Sequence, residues 1–147
     1  MGEAWQRVVA SGVVDGPIVQ CIEPPPAGLL AGIELFNAGL YYECHEELEA
    51  IWHVERGPIR YLYQGILQIG VGFHHWRRNN FRGAYLLLRD GIDKVDRFTP
   101  SCMGLDTERL CREARACLAT LHALGRDDMA SFDWSSVPRI RQCCPDA

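Results

Sequence analysis

Several signatures are missing from this 147-residue chain, and each absence removes a class of protein. No apolar run approaches the roughly eighteen residues of a membrane span, so no membrane partner is expected. The opening MGEAWQRVVASGVVDG has an early acid and no long apolar stretch, which does not fit a secretory signal and points to a cytoplasmic location. Positive charge is scarce. Fifteen Lys and Arg face 19 Asp and Glu, a formal net charge of −4, which speaks against nucleic acid as a partner. None of the seven cysteines forms a Cys-x-x-Cys pair, so zinc-ribbon and thioredoxin patterns are absent. A P-loop, a Gly-x-Gly-x-x-Gly turn and a nucleophile elbow are missing too, which removes the best-marked enzyme classes. No internal repeat or low-complexity segment is visible.

What is present is ordinary globular material, 48% hydrophobic and 23% charged, enough for one domain whose core needs no disulfide or metal to hold it. Cys44, Cys111 and Cys117 fall on helical faces and read as reduced, apolar-behaving thiols, as do most of the seven. Cys143 and Cys144 form a vicinal pair with no evident role.

Residues 1–28 read as an N-terminal segment rich in Pro and Gly. A short helix over Trp5–Val9 is expected, then extended, polyproline-like chain through Pro17 and Pro24–Pro26. Residues 29–125 carry helical periodicity. Leu29, Ile33 and Phe36 share one face, and Asn37 with Gly39 supplies a stop. Tyr41–Glu55 forms the next helix, ended by Arg56-Gly57-Pro58, and Pro58 opens a third. That third segment is apolar on nearly every side, the pattern of a central helix. Its Gly65 and Gly72 share a stripe where a neighbouring backbone could come close. Asn79 and Asn80 make a turn, and Phe81, Tyr85, Leu88, Ile92 and Val95 mark a fourth helix. After the break at Pro100 and Gly104, Leu110, Ala114, Cys117, Leu118 and Leu121 mark a fifth, closed by Gly125. Residues 126–147 form a tail that packs through Phe132 and Trp134 or frays. The expected fold is all-α, a compact up-and-down bundle of about five helices with short connections.

The densest polar chemistry lies in YYECHEELEAIWH, Tyr41–His53. At 100° per residue, Tyr41, Cys44, Leu48, Ile51 and Trp52 form the core arc, while Glu43, Glu47, Ala50 and Val54 face solvent. Between them His45, Glu46 and Glu49 sit on the shoulder, where a seam between helices would open. His45 and Glu49 stand at i and i+4, the spacing that lets two helical side chains reach one metal ion, and Glu46 takes the place of the general base in His-Glu-x-x-His helices. Gln64, Gln68 and His75 share a stripe of the third helix that could complete such a site, with His74 on the neighbouring face.

Three functions are compatible with this row. One is a pocket for a divalent metal or a small polar ligand. A second is a hydrolase-type acid–base centre in which Glu49 orients His45. The third is structural: a buried, mutually hydrogen-bonded network that fixes how helices meet. Arg77, Arg78, Arg82 and Arg89 read as a solvated basic face, with a phosphate-bearing ligand as the sharper alternative.

FNAGLYYECHEELEAIW, YQGILQIGVGFHH, NFRGAYLLL and MGLD together resemble a family known as domain of unknown function 309, over roughly residues 29–120. The resemblance implies a compact all-α fold and no assigned activity. Its motif positions fall here on Phe36, Asn37, Gly39, Tyr42, Glu43, His45, Glu46, Glu49, Trp52, Gln64, Gly65, Gln68 and His74. It thereby selects His74 over His75, and it includes Glu43, which periodicity places outward. The expected ligand-binding set is Glu43, His45, Glu46, Glu49, Gln64, Gln68 and His74, with His45 and Glu49 as the metal pair.

Overall fold

The computed structural model describes residues 19–143. Five α-helices account for most of it: α1 (Ala27–Asn37), α2 (Tyr41–Val54), α3 (Arg60–Arg77), α4 (Phe81–Val95) and α5 (Thr107–Asp128). Among the described residues there is no strand, only isolated bridges joining Leu105 to Cys102 and to Gln142. Each helix packs on the next in sequence, so the all-α bundle expected from periodicity is the observed fold. The expected helix over Trp5–Val9 lies outside the described residues.

The boundaries follow from local chemistry. Gly39 takes a φ of +78°, and the Asn37–Gly39 turn reverses the chain between α1 and α2. The Asn80 side chain accepts from Gly83 N at 3.0 Å and caps α4, as Asp106 caps α5 through Arg109 N at 3.0 Å. Gly125, with φ +71° and ψ −176°, leaves the helical path and closes the regular part of α5, as expected, and a short further turn continues to Asp128. Pro26 is extended and precedes α1, but Val19–Ile22 winds into a 3₁₀ turn where extended chain was expected. That turn has partners. Gln20 donates to Glu55 Oε2 at 3.1 Å and accepts from Ile59 N at 3.2 Å, tying it to the α2–α3 junction.

The turn is also held covalently, because Cys21 is disulfide-bonded to Cys102. Spacing alone cannot reveal such a pair, so reading most cysteines as reduced missed it. Cys44, Cys111 and Cys117 are buried thiols, as read.

α3 is the central helix, with Leu62, Ile66, Ile69, Phe73 and Trp76 all at or near zero exposure. Its glycine stripe meets α4 backbone to backbone. A Cβ added at Gly91 would lie 2.7 Å from Gly65 O and 2.8 Å from Ile69 N, and one at Gly72 would lie 3.0 Å from Leu88 N. Neither backbone can move aside without shifting a helix. We expect Gly91→Ala to cost about 1–3 kcal/mol in urea unfolding, the usual overpacking range. A variant as stable as the parent would mean that the helices cross less closely.

The described part of the tail, residues 126–143, packs on the bundle. Phe132 stacks on Trp76 with centroids 4.0 Å apart, and Trp134 meets Phe73 edge-on. Asn37 grips Ile140 at two points, donating to its carbonyl at 3.0 Å and accepting from its N–H at 2.7 Å.

Candidate functional site

The half-buried stripe of α3 carries Gln64, Leu67, Gln68, Val71, His74 and His75, because its remaining faces are taken by the core. The shoulder of α2 lies beside it. Between them runs a cleft in two lobes that share His45 and Val71. The larger, about 290 Å³, is lined by His45, Glu49, Trp52, Gln64, Gln68 and apolar residues including Leu87 of α4. The smaller, about 240 Å³, is lined by Tyr42, His45, Val71, His74 and His75.

Three residues that line the larger lobe each hold a buried polar atom that makes no hydrogen bond to the protein: His45 Nδ1, Trp52 Nε1 and Gln68 Oε1. They present a donor (the Trp52 indole), an acceptor (the Gln68 carbonyl) and an imidazole nitrogen able to serve as either. Folding gains nothing from such groups, since a buried polar atom left unpaired costs about 1–3 kcal/mol. Trp52 is held in place by Arg60, whose guanidinium lies 5.0 Å from the ring centroid.

His45 Nε2 stands 3.9 Å from Glu49 Oε2, too far for a hydrogen bond, with side chains 29% and 48% exposed. The Tyr42 ring stacks on His45 at 6.0 Å and lies 5.8 Å from His74, within the smaller lobe. His75 Nδ1 is engaged by Asn80 Nδ2 at 3.2 Å, which leaves His74 the less tethered imidazole.

His74 is pushed below the ordinary histidine range, first by burial, then by His75, Arg78 and Arg77, while Glu43 pulls it upward. The folded protein therefore binds that proton less readily than the unfolded chain. This contribution to stability is absent as a penalty above the unfolded value of about 6.5 and grows unfavourable as pH falls through it. We expect the His74 imidazole to titrate below that value by NMR, and Glu43→Gln to lower its midpoint further. An upward move in that variant would remove Glu43 from the neighbourhood of His74.

Of the expected residues, the structure brings His45, Glu49, Gln64 and Gln68 to one lobe and His74 to the other. Glu46 is exposed and lines neither. Glu43 is exposed too, but close enough to bias His74. The family motif selected His74 over His75, and both line the smaller lobe. Trp52 was assigned to the core arc; its half-buried indole, on the arc's edge, is the donor that periodicity missed. Leu87 had no signal at all, since only the α3–α4 packing carries it there. Among the described residues no three His, Cys, Asp or Glu side chains converge as a metal cluster.

The class defined by this geometry is a small helical bundle with an amphipathic cleft between its second and third helices. Residues 29–87 match the model of a family described as a domain of unknown function (DUF309), as the motifs implied. The match ends in α4, short of Met103–Asp106, yet contains every residue that lines the cleft. Uncharacterized protein YpuF of Bacillus subtilis (strain 168) is 36% identical over 73 residues, which cover 48% of this chain and 42% of that protein. The chain thus spans less than half the length of this relative. No solved structure matches.

Proposed function

We propose that the α2–α3 cleft binds a small polar organic ligand bearing both a hydrogen-bond acceptor and a donor. The observation that carries this reading is that three residues lining one cavity, His45, Trp52 and Gln68, each hold a buried polar atom with no protein partner. Apolar walls from Leu67, Val71 and Leu87 suit the body of such a molecule, and about 290 Å³ lies near the low end of small-molecule sites. The structural reading needs the same groups buried and bonded to one another, whereas Glu49 is half exposed and these three atoms are unpaired.

The 3.9 Å between His45 Nε2 and Glu49 Oε2 favours a second reading, in which one divalent ion bridges them. That site would have two side-chain donors and need others from the ligand or from Gln68. A ligand held at a hundred times its dissociation constant adds about 2.7 kcal/mol, several degrees of melting midpoint. The test is the midpoint with chelator, with zinc, manganese, nickel and magnesium restored, and with a panel of small amides and heterocycles. A rise with an organic probe that Gln68→Met abolishes supports the first reading. A rise with a metal that His45→Ala abolishes supports the second, and no rise with any probe counts against both.

No described helix is long and apolar enough to cross a membrane. The cytoplasmic setting expected from the sequence stays within the proposal, and the Cys21–Cys102 bond makes it testable. Reducing compartments hold such pairs as thiols. Alkylation trapping in cells distinguishes the two states directly.

A further inference from the structure

Arg77 and Arg139 both border the α1–α2 turn and line one pocket beside it. Arg77 is exposed, as the sequence suggested, but it is not a loosely solvated charge. Its guanidinium lies 4.9 Å from the Tyr41 ring centroid and 5.1 Å from that of Trp134, and Nη1 donates to Gly39 O at 2.9 Å. Arg139 comes from the C-terminal segment, which the two bonds between Asn37 and Ile140 lock beside it. Its Nη1 donates to Asn37 O at 3.3 Å.

Both arginines line a pocket of about 270 Å³ with Asn37, Gly39, Tyr41 and Trp134, and among the described residues no carboxylate lines it. It shares no residue with the α2–α3 cleft. Acids outnumber bases in this chain, and Arg89, Arg97, Arg109 and Arg115 each sit against one. Among the described residues Arg77 and Arg139 have no such ion pair. Tyr41 adds no negative charge either. Burial pushes its hydroxyl up to about 12, against a downward pull from Arg77.

A guanidinium offers five donors, and each of these two spends one nitrogen on a backbone carbonyl. The remaining donors are held in place by aromatic stacking on one side and a clamped segment on the other, so little ordering is left for a ligand to impose. We propose that this pocket binds a small oxyanion, a carboxylate or phosphate group carried on a compact molecule, gripped between Arg77 and Arg139. A polyanion fits the site poorly, since the net charge of −4 repels an extended chain of phosphates.

The test is a titration of the full chain with sodium phosphate, and separately with sodium acetate, at constant ionic strength set by chloride. The indole N–H of Trp134 and the amide of Gly39 are followed by NMR. Saturable shifts are expected, with affinity falling about tenfold in Arg139→Gln, the scale of one lost charge-assisted bond. Saturation by phosphate alone, by acetate alone or by both identifies the oxyanion. Shifts that stay linear, or that chloride reproduces, would overturn the proposal. So would saturation that Arg139→Gln leaves unchanged. Arg77→Gln serves as a second variant, but it also loosens Tyr41 and Trp134, so Arg139→Gln decides.

Discussion

Replacing Trp76 with alanine is expected to cost about 3–5 kcal/mol of stability, the range for removing a large buried aromatic ring. Trp76 is 1% exposed and stacks on Phe132 at 4.0 Å and on Phe73 at 6.0 Å. Its indole also donates to Met129 O at 2.8 Å, so the substitution leaves a cavity and an unpaired carbonyl together. The loss reaches beyond the core. Phe132 and Trp134 both pack on this ring, and the segment that carries Arg139 follows them. Trp76→Phe keeps most of the packing and loses the hydrogen bond, and should cost clearly less. Urea unfolding of the two variants checks this, and an alanine variant losing under about 1 kcal/mol would contradict the packing described.

Reduction of Cys21–Cys102 is expected to have an effect of similar size. The bond closes a loop between residues 81 apart in sequence. In the chain-entropy model a loop of that length contributes about 4.5 kcal/mol by restricting the unfolded state. The measurement is the urea midpoint with and without reductant, set beside a Cys21→Ser/Cys102→Ser double variant that reductant should no longer affect. The other core thiols do not confuse the result. Burial pushes Cys44 and Cys111 up to about 12 and Cys117 to about 11, so none is a reactive thiolate near neutral pH. The bond also fixes the turn whose Gln20 holds Glu55 and Ile59, and with them the α2–α3 junction. An unchanged midpoint would mean that the pair adds nothing to the fold.

The helices were legible because their ends are written in local chemistry. Asn37-Gly39, Pro58, Asn79-Asn80 and the Pro100–Gly104 break each act within a few residues, and the apolar period does the rest. The candidate site was half legible for the same reason. His45 and Glu49 share an α2 shoulder and Gln64 and Gln68 an α3 stripe, so helical spacing alone puts them on two facing rows. Glu46 was misjudged because the shoulder is narrower than one arc of a wheel, and one position on it already faces solvent. Contacts across long separations left no trace in the sequence. The disulfide, the Asn37–Ile140 clamp, the partner of the glycine stripe and the placing of Arg77 and Arg139 on one pocket all depend on how whole elements settle on one another.

The central claim is that the polar atoms of the α2–α3 cleft serve a ligand rather than the fold. The most direct test is the stability of Gln68→Met, which keeps side-chain length and removes an acceptor that has no protein partner. The variant is expected to be at least as stable as the parent in urea unfolding, by up to about 1 kcal/mol, because an unsatisfied buried group is replaced by an apolar one. A loss of about 1 kcal/mol or more would show that Gln68 holds the helices together, and would contradict it.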